Sequence, residues 1–249
     1  MTAPIKPTPI KLSEHVYALP LETALMGGPT TLFLTLILDD AHGATLVDTG
    51  VPGMEDDILA GLEALNLGWS DVKRVVLTHH DMDHIGSLPA VVAASGAEVL
   101  ALEAEAPYIQ GDKPGQKTPT PEMIASMPPE MRARFALPAH APVTRLLHDS
   151  EMLDLAGGVK VVATPGHTVG HLSLYVVHDG VLITGDAMVS AGGQLKGPME
   201  RATPDMPEAL RSVQKLAQLP ARTVLTYHGG VVDQDAAIQL ARVAAEATI

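Results

Sequence analysis

The chain has 249 residues, 46% of them hydrophobic, a formal net charge of −13 and no cysteine. That length fills one large core or two small ones. The absence of cysteine excludes disulfides, thiolate metal ligands and cysteine nucleophiles, and the acidic balance without a basic block excludes the phosphate-neutralising surface that a nucleic-acid partner needs.

No apolar run reaches the ~18 residues of a membrane-spanning helix. Met1 to Pro20 is Pro-rich and lacks a basic start followed by an apolar stretch, so no signal peptide is expected and the cytoplasm is the default location. Val16 to Leu19 reads as a short first strand. Thr30 to Leu38 and Ala44 to Val47 read as a hairpin turned by Asp39-Asp40-Ala41-His42-Gly43. Met54 to Leu65 carries Ile58, Leu59, Leu62 and Leu65 at helical spacing. Val75 to Leu77 is a buried strand ending at Thr78. Leu88 to Ala94 reads as a helix with Ser87 as N-cap and Pro89 in its first turn. Val99 to Leu102 is the next strand.

Gly111 to Pro142 breaks the pattern, with six prolines between Pro114 and Pro138. It reads as an insertion with one short helix near Glu122 to Phe135, either a lid over a site or a surface excursion. Strands resume at Val143 to Leu147, Val159 to Ala163, Leu172 to Val177 and Val181 to Thr184. Met206 to Leu219 is an amphipathic helix capped by Asp205. Thr223 to Thr226 is a last strand and Asp233 to Ala245 a last helix. This order predicts one domain over residues 1–249, with two sheets packed face to face and helices outside.

Chemistry-bearing residues recur just past the strand ends. Thr78-His79-His80-Asp81-Met82-Asp83-His84 comes first, then His167 in Thr164-Pro165-Gly166-His167, Asp186 after Gly185, and His228 in Thr226-Tyr227-His228-Gly229. Imidazole and carboxylate are the donors that a borderline or hard divalent ion takes. Asp186 has two oxygens and can bridge two ions. Ions ~3.5–4 Å apart can share a hydroxide and clamp the oxygen of an attacked carbonyl or phosphoryl group. His15, His42, His140, His148 and His178 lack such company and read as surface or core histidines.

At these residues the chain resembles the metallo-β-lactamase superfamily, whose mark is H-x-H-x-D-H followed by His, Asp and His. His79, Asp83, His84, His167, Asp186 and His228 match it, and Leu46-Val47-Asp48-Thr49-Gly50 resembles its early strand-end motif. The resemblance implies an α/β fold of α+β type, a four-layer αββα sandwich of two mixed sheets with the site at one edge. It implies His79, Asp81, His167 and Asp186 around one ion, and Asp83, His84, Asp186 and His228 around the other. Asp48 would orient a ligand histidine, and His171 would be hydrogen-bonded nearby without ligating. Asp83 would also assist proton transfer to the leaving group.

One position departs from the family pattern: Asp81 stands where the middle histidine is usual, with His80 beside it as the alternative donor. Asp81, Asp83, Asp186 and one hydroxide then balance the charges of two divalent ions. An oxygen-richer set suits Zn but also Fe or Mn, and a neutral core favours esters or lactones over phosphodiesters. The expected function is a dinuclear hydrolase using a metal-bridging hydroxide on a small ester, lactone or related carbonyl substrate. The alternatives are an iron-dependent redox enzyme of the same fold, flavodiiron-like or dioxygenase-like, or a thioesterase or β-lactamase-like hydrolase. The expected partner is a small molecule, with neither membrane nor nucleic acid; a homo-oligomer stays open.

Overall fold

Three apolar clusters stacked in layers define the architecture. The computed structural model describes residues 7–25, 28–117, 120–129, 132–133 and 139–247. The first sheet runs in the order β1 (Ile10–Lys11), β2 (Val16–Leu25), β3 (Gly28–Asp39), β4 (Gly43–Val47), β5 (Val72–Val76), β6 (Glu98–Leu102), β7 (Arg145–Leu147). Its pairings are antiparallel up to β4 and parallel from β4 to β7. The second sheet holds β8 (Met152–Leu153), β9 (Val159–Ala163), β10 (Leu172–Val176), β11 (Val181–Ile183), β14 (Thr223–Thr226) and β15 (Gly230–Val232). They lie in the order β15-β14-β11-β10-β9-β8, with only β11 and β14 parallel. A separate hairpin joins β12 (Val189–Ala191) to β13 (Gln194–Lys196).

The strand period of two separates the layers. Val161, Leu174 and Ile183 point between the sheets, where they meet Val47, Val76 and Leu100. Val162, Tyr175 and Leu182 point outward onto Val213 and Leu216 of helix Met206–Leu216 and Leu240 and Val243 of helix Ala236–Glu246. Leu36, Leu46 and Val75 face the other way, onto Ile58 and Leu62 of helix Glu55–Glu63 and Leu88 and Val91 of helix Leu88–Ser95. The result is a four-layer αββα sandwich of two mixed sheets. No helix among the described residues is long and apolar enough to cross a membrane.

Several elements differ from the sequence expectation. The first long strand does not stop at Leu19 but continues through Pro20 to Leu25. Phe33, opposite Pro20, sends its N–H to Tyr227 O (3.0 Å), away from Pro20, so the missing proline N–H costs no ladder bond. Ser87 precedes its helix but makes no side-chain cap; its hydroxyl donates to Val51 O (2.7 Å) and accepts from Met54 N (2.8 Å). In the Pro-rich stretch the helix Pro121–Ser126, capped by Thr120 Oγ1, ends at an extended Met127, and residues 129 and 132–133 are again helical. Phe135, at the far end of the expected helix, lies outside the described residues.

Candidate metal centre

The parallel pairs β4–β5 and β11–β14 bring four C-terminal strand ends to one edge of the sandwich. Asp48 follows β4, Thr78 and His79 follow β5, Asp186 follows β11 and His228 follows β14; His167 arrives on the turn after β9. Two glycines allow this convergence. Gly166 has φ 126°, and a Cβ there would lie 2.3 Å from Ala209 N. Gly185 has φ 50°, and a Cβ there would lie 2.8 Å from His171 Nε2. Asp48 takes a left-handed φ of 63° without being glycine, the kind of strain that collects at functional sites.

The structure brings all seven residues singled out in the sequence into one cluster. Asp81 Oδ2 lies 3.2 Å from His79 Nε2 and 3.1 Å from His167 Nε2. Asp83 Oδ2 lies 3.2 Å from His228 Nε2 and 3.9 Å from His84 Nε2. Asp186 sits between the two groups. Its Oδ1 is 3.4 Å from His84 Nε2, and its Oδ2 is 3.5 Å from His167 Nε2 and 3.4 Å from His228 Nε2. His79, His167 and Asp186 form one triad able to hold an ion; Asp83, His84 and His228 form a second.

Hydrogen bonds fix which nitrogen each histidine presents. Thr78 Oγ1 donates to Asp48 Oδ2 (2.8 Å), so it accepts from His79 Nδ1 (3.0 Å). Asp48 Oδ2 accepts from His84 Nδ1 (2.8 Å). His79 and His84 thus both turn Nε2 inward, and these buried atoms, with Asp186 Oδ1, have no hydrogen-bond partner among the described residues. Buried polar atoms without partners are costly, and a divalent ion at ~2.0–2.2 Å would satisfy them. The donor set therefore fits divalent metal at the triads, with Asp186 within reach of both groups of histidines. His171 lies beside them but has nothing left to offer: its Nε2 accepts from Asp186 N (3.0 Å) and its Nδ1 donates to Thr164 Oγ1 (2.8 Å).

Electrostatics point the same way. Burial opposes charge on His84 and His228, but Asp186, Asp83 and, for His84, Asp48 outweigh it. His84 is raised well above the usual imidazole range and His228 to about 10. Burial likewise opposes charge on Asp186, yet His228 and His84 hold its carboxyl well below the ordinary range. A field that holds protons this firmly also suits a cation, and protons and metal compete for these nitrogens. Burial pushes His79 and His171 the other way, well below the usual range.

His80 leaves the cluster. Its Nδ1 pairs with buried Glu105, its Nε2 accepts from Gln116 N (3.0 Å), and its ring stacks on Tyr108 at 4.8 Å. His15 and His42 bond Asp179 and Asp39, and His140 bonds Ile109 O, all away from the site.

Three residues here were not evident from sequence. Glu105 Oε2 accepts from Gly170 N (2.7 Å), tying His80 to the loop between His167 and His171. Tyr227 donates to Asp83 O (2.5 Å) and lays its ring 3.8 Å from that of His84. Lys117 Nζ reaches Asp81 Oδ2 (2.5 Å) and His167 Nε2 (2.7 Å). Only Tyr227 had a local signal, its place next to His228.

The sequence profile of the metallo-beta-lactamase superfamily matches residues 32–228. The chain belongs to that superfamily. Its relatives include the probable metallo-hydrolase YflN of Bacillus subtilis, 28% identical over 76% of this chain and 76% of that protein. A hydroxyacylglutathione hydrolase of Methylobacillus flagellatus is 31% identical over 73% of this chain, and the match spans 56% of that enzyme. Among solved structures, the metallo-beta-lactamase family protein TTHA1429 of Thermus thermophilus superposes with a TM-score of 0.71 at 28% identity, covering 95% of this chain and 80% of that one. The superfamily and these names indicate a metallo-hydrolase; superfamily members bind divalent metal ions, commonly zinc.

Proposed function

We propose that the chain is a dinuclear metal-dependent hydrolase of a small ester or lactone. The observation that carries this reading is the pair of adjacent triads, His79–His167–Asp186 and Asp83–His84–His228, in which His79 Nε2, His84 Nε2 and Asp186 Oδ1 have no hydrogen-bond partner among the described residues. Two divalent ions held there would supply a water of lowered pKa and polarise the attacked carbonyl. His79, Asp81, His167 and Asp186 would hold one ion, and Asp83, His84, Asp186 and His228 the other. Asp48 fixes the tautomer of His84, and Tyr227 fixes the Asp83 backbone. Asp83, its carboxylate partly open to solvent, would pass a proton to the departing oxygen. The three carboxylates keep the loaded centre near neutral, which favours uncharged carbonyl groups over phosphodiesters.

A thioester reading has one observation in its favour, the 31% identity to a hydroxyacylglutathione hydrolase. The test is a panel of ester, lactone, thioester, β-lactam and phosphodiester substrates against protein loaded with zinc, manganese or iron(II). Hydrolysis of an ester or lactone that falls by orders of magnitude in Asp186→Ala supports the proposal. Turnover confined to thioesters selects the second reading. Oxygen consumption with the iron form and no hydrolysis on any substrate rejects both.

A further inference from the structure

Among the described residues of the Pro-rich stretch, Lys117 reaches into the metal centre. Lys117 Nζ bonds Asp81 Oδ2, His167 Nε2 and, at 3.3 Å, Ala202 O. No other lysine or arginine among the described residues ion-pairs with the seven clustered residues, in a chain of net charge −13. The backbone next to Lys117 is anchored independently. Gln116 N donates to His80 Nε2 (3.0 Å), and Gln116 Oε1 accepts from Val169 N (2.9 Å). His80 is itself held by Glu105 and stacked on Tyr108.

His167 Nε2 has one lone pair. It accepts from Lys117 or it ligates a divalent ion, and it cannot do both. When His167 and Asp81 ligate, the Lys117 ammonium loses its nitrogen acceptor and shares its carboxylate with a dication that repels it. Gln116 still holds the backbone, so the ammonium stays within one side-chain length of the centre. A partly desolvated ammonium in that position needs an anion.

Resting on the hydrolase reading, we propose that Lys117 is the anion-recognising residue of this site: once Asp81 and His167 are engaged on metal, its ammonium binds a carboxylate carried by the substrate beside the scissile carbonyl. Among the described residues the near-neutral core leaves charge selection to Lys117. A single ammonium matches a single carboxylate, and among the described residues no second cation is at hand for a phosphate dianion.

The test uses zinc-loaded wild type, Lys117→Met and Lys117→Arg. Glutarate is titrated by calorimetry. Two matched 4-nitrophenyl esters, the free-carboxylate glutarate monoester and its methyl-capped neutral form, are compared by KM. Zinc affinity is measured by chelator competition. Wild type should bind glutarate, and Lys117→Met should weaken it by about ten- to a hundredfold, the loss expected for one charged hydrogen bond. The KM ratio between charged and neutral esters should shift by about the same factor, and Lys117→Arg should restore part of it. Zinc should bind more tightly to Lys117→Met, which no longer competes for His167. Equal glutarate affinity in wild type and Lys117→Met, or no binding to wild type, overturns the proposal. If neither ester is hydrolysed, the hydrolase reading fails, while the glutarate and zinc titrations still decide the role of Lys117.

Discussion

Asp48 Oδ2 lies 2.8 Å from His84 Nδ1, and the same carboxylate takes the N–H and the hydroxyl of Thr78, each at 2.8 Å. One buried side chain thus fixes His84 directly and His79 through the Thr78 hydroxyl. Asp48→Asn tolerates the left-handed backbone but turns one acceptor into a donor facing other donors. Zinc affinity of the Asp83–His84–His228 triad should fall by about 10–100-fold, the usual effect of losing such a support. Chelator competition measures it, and unchanged affinity would remove Asp48 from the account.

Asp81 lies against His79 and His167, and its carboxyl is held well below the ordinary range. Burial opposes this, but His79, His167 and Lys117 outweigh it. Asp81→His replaces a hard donor by a softer one and adds a charge to the loaded core. Competitive loading with zinc, manganese and iron(II) should shift towards zinc relative to wild type. An unchanged preference would mean that Asp81 does not ligate.

Asp39 ties the turn after β3 to the second sheet. Its carboxylate accepts from Ala156 N (2.6 Å), Ala41 N (2.8 Å) and His42 N (2.9 Å). The Ala156 N–H and the two turn N–H groups lower its pKa from 3.8 to about 2, against the opposing effect of burial. A depressed carboxyl pKa contributes stability above its unfolded value, and that contribution is lost as pH falls through the folded one. Asp39→Asn should therefore cost about 1–3 kcal/mol at neutral pH, and the gap to wild type should close between about pH 4 and 2. Urea unfolding at a series of pH values checks this; a gap that stays constant into acid contradicts it.

Much of the site was legible because each clustered residue sits just past a β-branched run, where a strand must end. Strand ends at one sheet edge share a volume, so the linear order of His79 to His84, His167, Asp186 and His228 carried spatial information. Two sheets with helices outside were legible through the order of strand and helix periods, while the αββα sandwich was implied by the family resemblance. Lys117 was not legible, since a lone lysine among prolines has no period and meets Asp81 and His167 only through the tertiary path of its loop. Glu105 was hidden similarly, as its partners His80 and Gly170 lie far along the chain. The extension of β2 past Pro20 depends on Phe33 turning its N–H to Tyr227, which local propensity cannot express. The β12–β13 hairpin was missed although Gly192-Gly193 between its strands is a recognised two-residue turn signal.

In the proposed function the seven residues hold two ions that share Asp186. The direct measurement is elemental analysis of protein saturated with zinc and freed of excess, for wild type and Asp186→Ala. Wild type should carry two ions per chain, and Asp186→Ala should hold fewer while keeping its fold by circular dichroism. At most one ion in saturated wild type, or two ions retained without Asp186, would contradict the account.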